Sequence, residues 1–132
     1  QGASVGFVEQ DESGFDDIRR MITRNHGEIL MSVINEEFDT LDDYISVSYS
    51  GPENTDKEHY KERMSRLYSG LNLGKSEINW GLRDFEIHKN GTVTCGYFLD
   101  ITTPGGKEIT YRSKELWVQE DSTWVLMKEE VV

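Results

Sequence analysis

The chain has 132 residues, a formal net charge of -11 and a hydrophobic content of 36%, with three Trp, six Tyr and five Phe. This length and composition predict one folded domain with a single core. The negative charge argues against nucleic acid or an anionic membrane surface as a partner, because both would repel the protein. No apolar run approaches the ~20 residues that span a bilayer.

Cysteine usage and the chain start bear on the compartment. Cys95 is the single cysteine, so a disulfide framework and a cysteine-based zinc site are both excluded. It lies in a strand-like run and is interpreted as an inert buried thiol. The chain begins with Gln1 rather than Met, so we expect a processed or trimmed product. Such a product is either cytoplasmic or exported after removal of a signal peptide.

The N-terminal half predicts helices. Residues 1–12 are polar, lack a period and predict a flexible leader, so the single domain is expected to cover residues 13–132. Ser13 to Asp16 is a capping signal for a helix that runs to about Ile34. Asn25 and His26 fill a gap in the apolar stripe of this helix. The apolar residues of the stripe recur at helical spacing and are Phe15, Ile18, Ile22, Ile29 and Val33.

Shorter elements follow the first helix. Thr40–Asp43 predicts one turn of helix, and the alternation over Ile45–Tyr49 predicts a brief strand that Gly51 and Pro52 end. Thr55–Glu58 is a capping box that opens a further helix. Its apolar face comprises Tyr60, Met64, Leu67 and Leu71.

The C-terminal half predicts an antiparallel meander of four strands. After Leu73 apolar residues recur at every second position. A one-residue shift of this alternation at Arg83–Asp84 predicts a β-bulge. Asn90–Gly91 is a strong hairpin signal. The further strands are predicted over 93–101, 109–119 and from 124 onward. Helices followed by a meander indicate an α+β fold, with the helices on one face of a curved sheet.

The last hairpin is apolar on both faces. Neighbouring side chains of a strand point to opposite faces, yet Leu116–Val118 and Trp124–Met127 are continuous apolar runs. The residues that face away from the helices are Phe98, Leu116, Val118, Val125 and Met127. We expect a second copy of the chain to cover them through a two-fold contact. Alternatively, sheet curvature and the leader cover them.

The order of elements resembles the nuclear transport factor two-like (NTF2-like) superfamily, and within it the SnoaL-like and ketosteroid-isomerase-like domains. The residues that carry the resemblance are Phe38–Ile45 (FDTLDDYI) and Leu116-Trp-Val-x5-Trp124-Val-Leu126, and it covers about Phe15 to Glu130. The resemblance implies a cystatin-like cone, in which a curved antiparallel sheet wraps around the N-terminal helices. It also implies a pocket at the wide end and dimers formed through the outer sheet face. Shared fold fixes no reaction.

Two residues are candidates for proton transfer. Isomerases of the resembled family use a carboxylate near the end of the first strand, but here that stretch is Ser48–Gly51, and Glu53 lies beyond the proline. The family's second acid is matched most closely by Glu115, which by strand parity points into the cone if Trp117 does. Alternatively, Glu115 pairs with an Arg or Lys across the sheet. His26 is a candidate general base or ligand anchor, or else a core histidine bonded to backbone.

Aromatic residues are candidates for the pocket wall. Tyr49, Trp80, Tyr97 and Trp117 suit a flat or ringed ligand, and they suit a plain core equally well. The three histidines form no metal-ligand spacing, so no metal site is predicted. The sequence has no phosphate loop, nucleophile elbow or dinucleotide fingerprint, and no cofactor is predicted.

Three functions remain open from the sequence. The first is a dimeric domain that binds a small, largely apolar molecule without an assigned reaction. The second is an isomerase or dehydratase that uses His26 and Glu115. The third is a dimerisation module without a ligand. A cavity lined by both His26 and Glu115 is what the enzyme requires, whereas the association module tolerates a filled cone.

Overall fold

The computed structural model describes residues 2–132, and the side chains of residues 14–66 and 69–132. Over these residues the chain forms helices α1 (Gly2–Ile34) and α2 (Lys57–Leu71) and strands β1 (Ile45–Ser50), β2 (Glu77–Ile87), β3 (Val93–Thr102), β4 (Glu108–Glu120) and β5 (Thr123–Val131). Short 3-10 turns occupy Phe38–Asp43, Pro52–Asn54 and Leu73–Lys75. No helix in this part of the chain has both the length and the apolar character to cross a bilayer.

The five strands form one curved, unclosed sheet in the order β1-β5-β4-β3-β2. Strands β2 to β5 are the predicted antiparallel meander. Strand β1 pairs in parallel with β5, with Ile45 opposite Leu126. The α+β class is therefore confirmed. The sheet is mixed rather than wholly antiparallel, because the short edge strand β1 pairs in parallel with β5.

Helix α1 begins at Gly2, ahead of the start predicted at Ser13. The side chains of residues 1–13 lie outside the described part of the chain. The leader at residues 1–12 and the domain boundary at residue 13 therefore stay predictions. Leu67, which was predicted on the apolar face of α2, also lies outside the described side chains.

The predicted β-bulge in β2 is present. Arg83 pairs with Gly96 and Glu86 with Thr94, so two residues of β2 stand opposite one of β3. Asp84, inside the bulge, has a φ of 57°, in the left-handed region that Asp tolerates better than most residues. A bulge bends its strand, which is why the sheet curves over the helices.

The core lies between α1 and the concave face of the sheet. Burial alternates strictly along β3, where every second side chain from Val93 to Ile101 is buried. Asn25 of α1 ties the helix to the sheet, because its Nδ2 donates to the Trp124 carbonyl at 2.9 Å. The inward residues of this core include Ile22, Ile29, Val33, Leu41, Val93, Leu99, Ile101, Trp117 and Leu126.

The outer face of the sheet mixes apolar and charged residues. The Phe98 ring lies between two guanidinium groups, with Arg83 at 5.3 Å and Arg112 at 5.5 Å from its centroid. Arg112 also pairs with Asp100 at 2.9 Å. Val125 is buried within the single chain, while the other predicted outer residues stay partly exposed: Leu116, Val118 and Met127. The second copy expected on this face stays a prediction.

Candidate functional site

A cavity of about 170 Å³ lies between the two helices and the concave face of the sheet. Its wall is mostly aliphatic, with contributions from α1, β3 and β4; these residues include Ile29, Leu30, Val33, Ile34, Leu73, Ile78, Leu99, Ile101 and Ile109. Four residues with ionisable nitrogen or carboxyl groups also line it: His26, Arg63, Glu115 and Glu129. Three tyrosines complete the wall: Tyr60, Tyr97 and Tyr111. The cavity is therefore apolar with a few convergent polar groups, as is typical of small-molecule sites.

His26 and Glu115 form a buried pair on the cavity wall. The His26 Nε2 lies 2.9 Å from the Glu115 Oε2, and the two side chains are 3% and 1% exposed. Which of the two atoms donates in this contact is set by the tautomer of the His26 ring. The His26 Nδ1 is buried and has no partner among the described residues. In the structure His26 therefore contacts Glu115 rather than a backbone group, and Glu115 pairs with His26 rather than with an Arg or Lys.

Aromatic side chains hold this pair in place. The Trp117 Nε1 donates to the second carboxyl oxygen of Glu115 at 2.9 Å. The His26 ring stacks on Trp80, with centroids 5.2 Å apart, and contacts Tyr97, whose centroid is 4.1 Å away. Both oxygens of Glu115 are thus occupied, and the histidine ring packs against two aromatic rings.

Cys95 lies beside the same carboxylate. Its Sγ is 3.9 Å from the Glu115 Oε1. Burial, reinforced by the Glu115 charge, raises the pKa of the Cys95 thiol. A thiol that stays protonated is a poor nucleophile, in agreement with its interpretation as an inert buried group.

A second buried acid, Glu129, faces the cavity from β5. Its carboxylate accepts from the Tyr49 hydroxyl at 3.1 Å, the Tyr111 hydroxyl at 2.8 Å and the Arg63 guanidinium at 2.9 Å. Glu129 stands directly opposite Glu115 across the β4–β5 ladder. Like charges opposite each other are unfavourable, so each carboxylate needs the separate partners that it has.

Sequence reasoning missed Glu129 because of a second irregularity in the sheet. Trp117 pairs with Leu126 but Leu116 pairs with Lys128, so Met127 is an extra residue in β5. Strict alternation from Leu126 would place Glu129 on the outer face, and the bulge reverses this parity. The sequence around Met127 carries no turn residue that would have indicated it.

Burial and the nearby carboxylates shift the pKa of the cavity tyrosines and of Arg63. Burial raises the pKa of Tyr97 and Tyr60, and both Glu115 and Glu129 add to the effect. Burial also raises the pKa of Tyr111, with the Glu129 charge next in importance. Burial alone would lower the pKa of Arg63, but Glu129 and the nearby tyrosines outweigh it and raise that pKa. The tyrosines therefore stay neutral and Arg63 stays charged.

The predicted site residues divide into two groups. His26, Glu115 and Tyr97 line the cavity. Tyr49, Trp80 and Trp117 each contact a polar residue that lines the cavity, and their predicted role as ligand contacts stays a prediction. A buried Trp or Tyr with a polar tip can hold a carboxylate as well as a ligand.

The helices, the curved sheet and the cavity between them define an NTF2-like, cystatin-like domain. Residues 29–128 of the 132 match the family model MecA_N, described as an NTF2-like N-terminal transpeptidase domain. The chain belongs to this family, and the predicted resemblance to the NTF2-like superfamily is confirmed. No curated protein matches the chain.

Solved structures share the fold at low identity. Aln2 from a Streptomyces species superimposes with a TM-score of 0.68 at 10% identity, covering 87% of this chain and 89% of that one. A protein with a cystatin-like fold from Caulobacter vibrioides gives 0.60 at 12% identity, with coverage of 91% and 90%. Another of unknown function from Nostoc punctiforme gives 0.62 at 13% identity, with coverage of 89% and 90%. At these identities the likeness establishes the fold alone.

Proposed function

We propose that the domain binds one small, largely apolar molecule inside its cone. The cavity itself supports this proposal most directly, because it combines an aliphatic wall with a few polar groups at defined places. A domain that served only for association would gain stability by filling this space, since packed interiors leave few voids larger than a water molecule.

The size of the cavity limits the ligand. About 170 Å³ is close to the ~150 Å³ of an engineered protein cavity that stays dry and binds benzene. Pockets for drug-sized molecules are larger, roughly 300–1,000 Å³. The ligand is therefore of one-ring size, and a molecule with four fused rings does not fit. This argues against the steroid substrates of the isomerases that the chain resembles.

Filling the cavity from α1 is expected to abolish binding of a one-ring probe. Val33 is buried and lines the cavity, whereas Met31, two residues before it on the same helix, is 51% exposed. We expect benzene to bind the unmodified chain and the Met31→Phe control equally, and to bind Val33→Phe at least about tenfold more weakly, because the added ring occupies its place. Ligand-observed NMR titration measures the three affinities. Saturable binding that Val33→Phe leaves unchanged, in a variant with a native circular dichroism spectrum, would rule the cavity out as the site.

A second candidate function is proton transfer on such a ligand. It is favoured by the placement of the His26–Glu115 pair on the cavity wall. In this reaction the pair would take a proton from the carbon next to a carbonyl and return it at another carbon. The enzyme predicts that the chain speeds deuterium incorporation into cyclohex-2-enone in D2O, and that Glu115→Gln slows it by at least about 100-fold. Exchange at the protein-free rate would exclude this reaction and leave ligand binding intact.

The family description suggests a further setting for the domain. The matched family is described as an N-terminal transpeptidase domain, and we propose that this chain serves such an enzyme as an accessory part.

We also propose a homodimer through the outer sheet face, where Phe98, Leu116 and Val118 are partly exposed. Sedimentation equilibrium is expected to give twice the 15.2 kDa mass of the chain, and a single-chain mass at all concentrations would contradict the dimer.

A further inference from the structure

We propose that the ligand is a small primary amine in its protonated form, with a one-ring apolar group that fills the aliphatic part of the cavity. The inference rests on the proposed ligand binding and specifies the chemical class of the ligand. The ammonium group would lie among Glu129, Tyr60 and Tyr97, with Glu115 on the neighbouring strand.

The formal charges of the cavity favour a cation. Glu115 and Glu129 both line it and stand opposite each other on adjacent strands. Arg63 is the one permanently charged cation in its described lining, and it already pairs with Glu129. A bound anion would add a third negative charge to two buried carboxylates. A bound cation that takes the place of Arg63 beside Glu129 leaves the total charge unchanged, whereas an anion makes a water-poor site more negative.

Two hydroxyl groups of the cavity wall are available to a ligand. Tyr60 and Tyr97 are each only 6% exposed and line the cavity. Within the described part of the chain their hydroxyls make no hydrogen bond, unlike those of Tyr49 and Tyr111, which donate to Glu129. A primary ammonium has three N–H donors, and these two oxygens together with one carboxylate oxygen match that number.

Arg63 shows that this part of the site accepts a cation. Its guanidinium lies over the Tyr60 ring, 5.3 Å from the centroid, and contacts Glu129 at 2.9 Å. Aromatic faces and a carboxylate are the groups that recognise organic cations. Arg63 is 32% exposed and extends from α2, so its side chain can turn toward solvent when a ligand cation takes its place. The exchange of one cation for another leaves Glu129 compensated throughout.

Three probes of similar size test the charge of the ligand. Benzylammonium, benzyl alcohol and benzoate share a ring of the size that the cavity takes, and differ in charge at the substituent. We expect the full chain at pH 7 to bind benzylammonium about tenfold more tightly than benzyl alcohol, and benzoate the most weakly of the three, by calorimetric titration. A preference for benzoate, or equal affinity for benzylammonium and benzyl alcohol, would overturn the proposal and leave a neutral or anionic ligand for the same cavity. Binding of none of them, with benzene also failing to bind, would overturn the proposed function as well.

Variants at the carboxylate and at its cation give independent tests. Glu129→Gln is expected to lower the affinity for benzylammonium about tenfold and to change the affinity for benzyl alcohol less than about twofold. Glu130→Gln is the matched control, because it removes the same charge from the next residue of β5, which is exposed. Arg63→Met removes the competing cation and is expected to raise the affinity for benzylammonium. Should Glu129→Gln fail to fold, weaker benzylammonium binding by Arg63→Met would by itself contradict the proposal.

Discussion

Replacing Glu115 by Leu is expected to lower the free energy of unfolding by about 3–5 kcal/mol, because it breaks a buried pair from one side. His26 is 3% exposed and would lose the hydrogen-bond partner of its Nε2. The Trp117 Nε1 would lose its acceptor as well. Urea denaturation followed by circular dichroism measures the change, provided that the slope of the transition stays constant.

A double-mutant cycle shows whether the pair is the cause. Replacing both His26 and Glu115 by Leu removes the two partners together, and such replacements of buried pairs are often near neutral. We expect the double variant to be more stable than the sum of the single losses predicts, by about 1–3 kcal/mol. Glu108→Leu, an exposed acid on the same strand, is the control and should stay within about 0.5 kcal/mol. Additive losses would mean that His26 and Glu115 do not interact as described.

Truncating Trp117 to Ala is expected to destabilise the domain by about 3–5 kcal/mol. Its side chain is 0% exposed and is the largest of the fully buried ones among the described residues. The variant loses the packing of the indole and leaves Glu115 without the Nε1 donor. Thermal or urea denaturation measures the loss.

The conservative variant Trp117→Phe separates these two causes. Phe keeps much of the ring volume but cannot donate to Glu115, so we expect a smaller loss of about 1–3 kcal/mol from the hydrogen bond to a charged group. Chemical shifts of the His26 ring should move in this variant, because the carboxylate that it contacts changes its surroundings. An Ala variant within about 1 kcal/mol of the parent would contradict the position of Trp117 at the centre of the core.

Local signals in the sequence predicted most of the fold. The parity slip at Arg83–Asp84 predicted the bulge that bends β2, and the Asn90–Gly91 signal predicted the β2–β3 turn. Strand parity from Trp117 also placed Glu115 inside the cone, where the structure has it. These predictions succeeded because each depends on residues that are neighbours along the chain.

What the sequence left open depends on distant contacts. The His26–Glu115 pair joins residues 89 positions apart, and only the crossing of α1 over β4 brings them together. The parallel pairing of β1 with β5 also joins segments far apart in sequence. Glu129 was missed for a different reason, because an extra residue at Met127 reverses the side-chain parity of β5. Periodicity predicts which face a residue takes only while the ladder stays regular.

The aromatic residues show the limit of composition as a guide to a site. Tyr49, Trp80 and Trp117 were predicted as ligand contacts, and in the structure they contact Glu129, His26 and Glu115. Sequence alone does not separate these roles, since both need a large apolar ring.

Xenon binding in crystals tests most directly whether the cone is hollow. Xenon enters dry apolar cavities of this size and scatters strongly enough to be located. We predict a xenon site bounded by Ile29, Val33 and Leu99 in the parent chain, and loss of that site in Val33→Phe. A cone whose interior shows no xenon under pressure, with side chains packed through the space that these residues enclose, would contradict the existence of the ligand cavity.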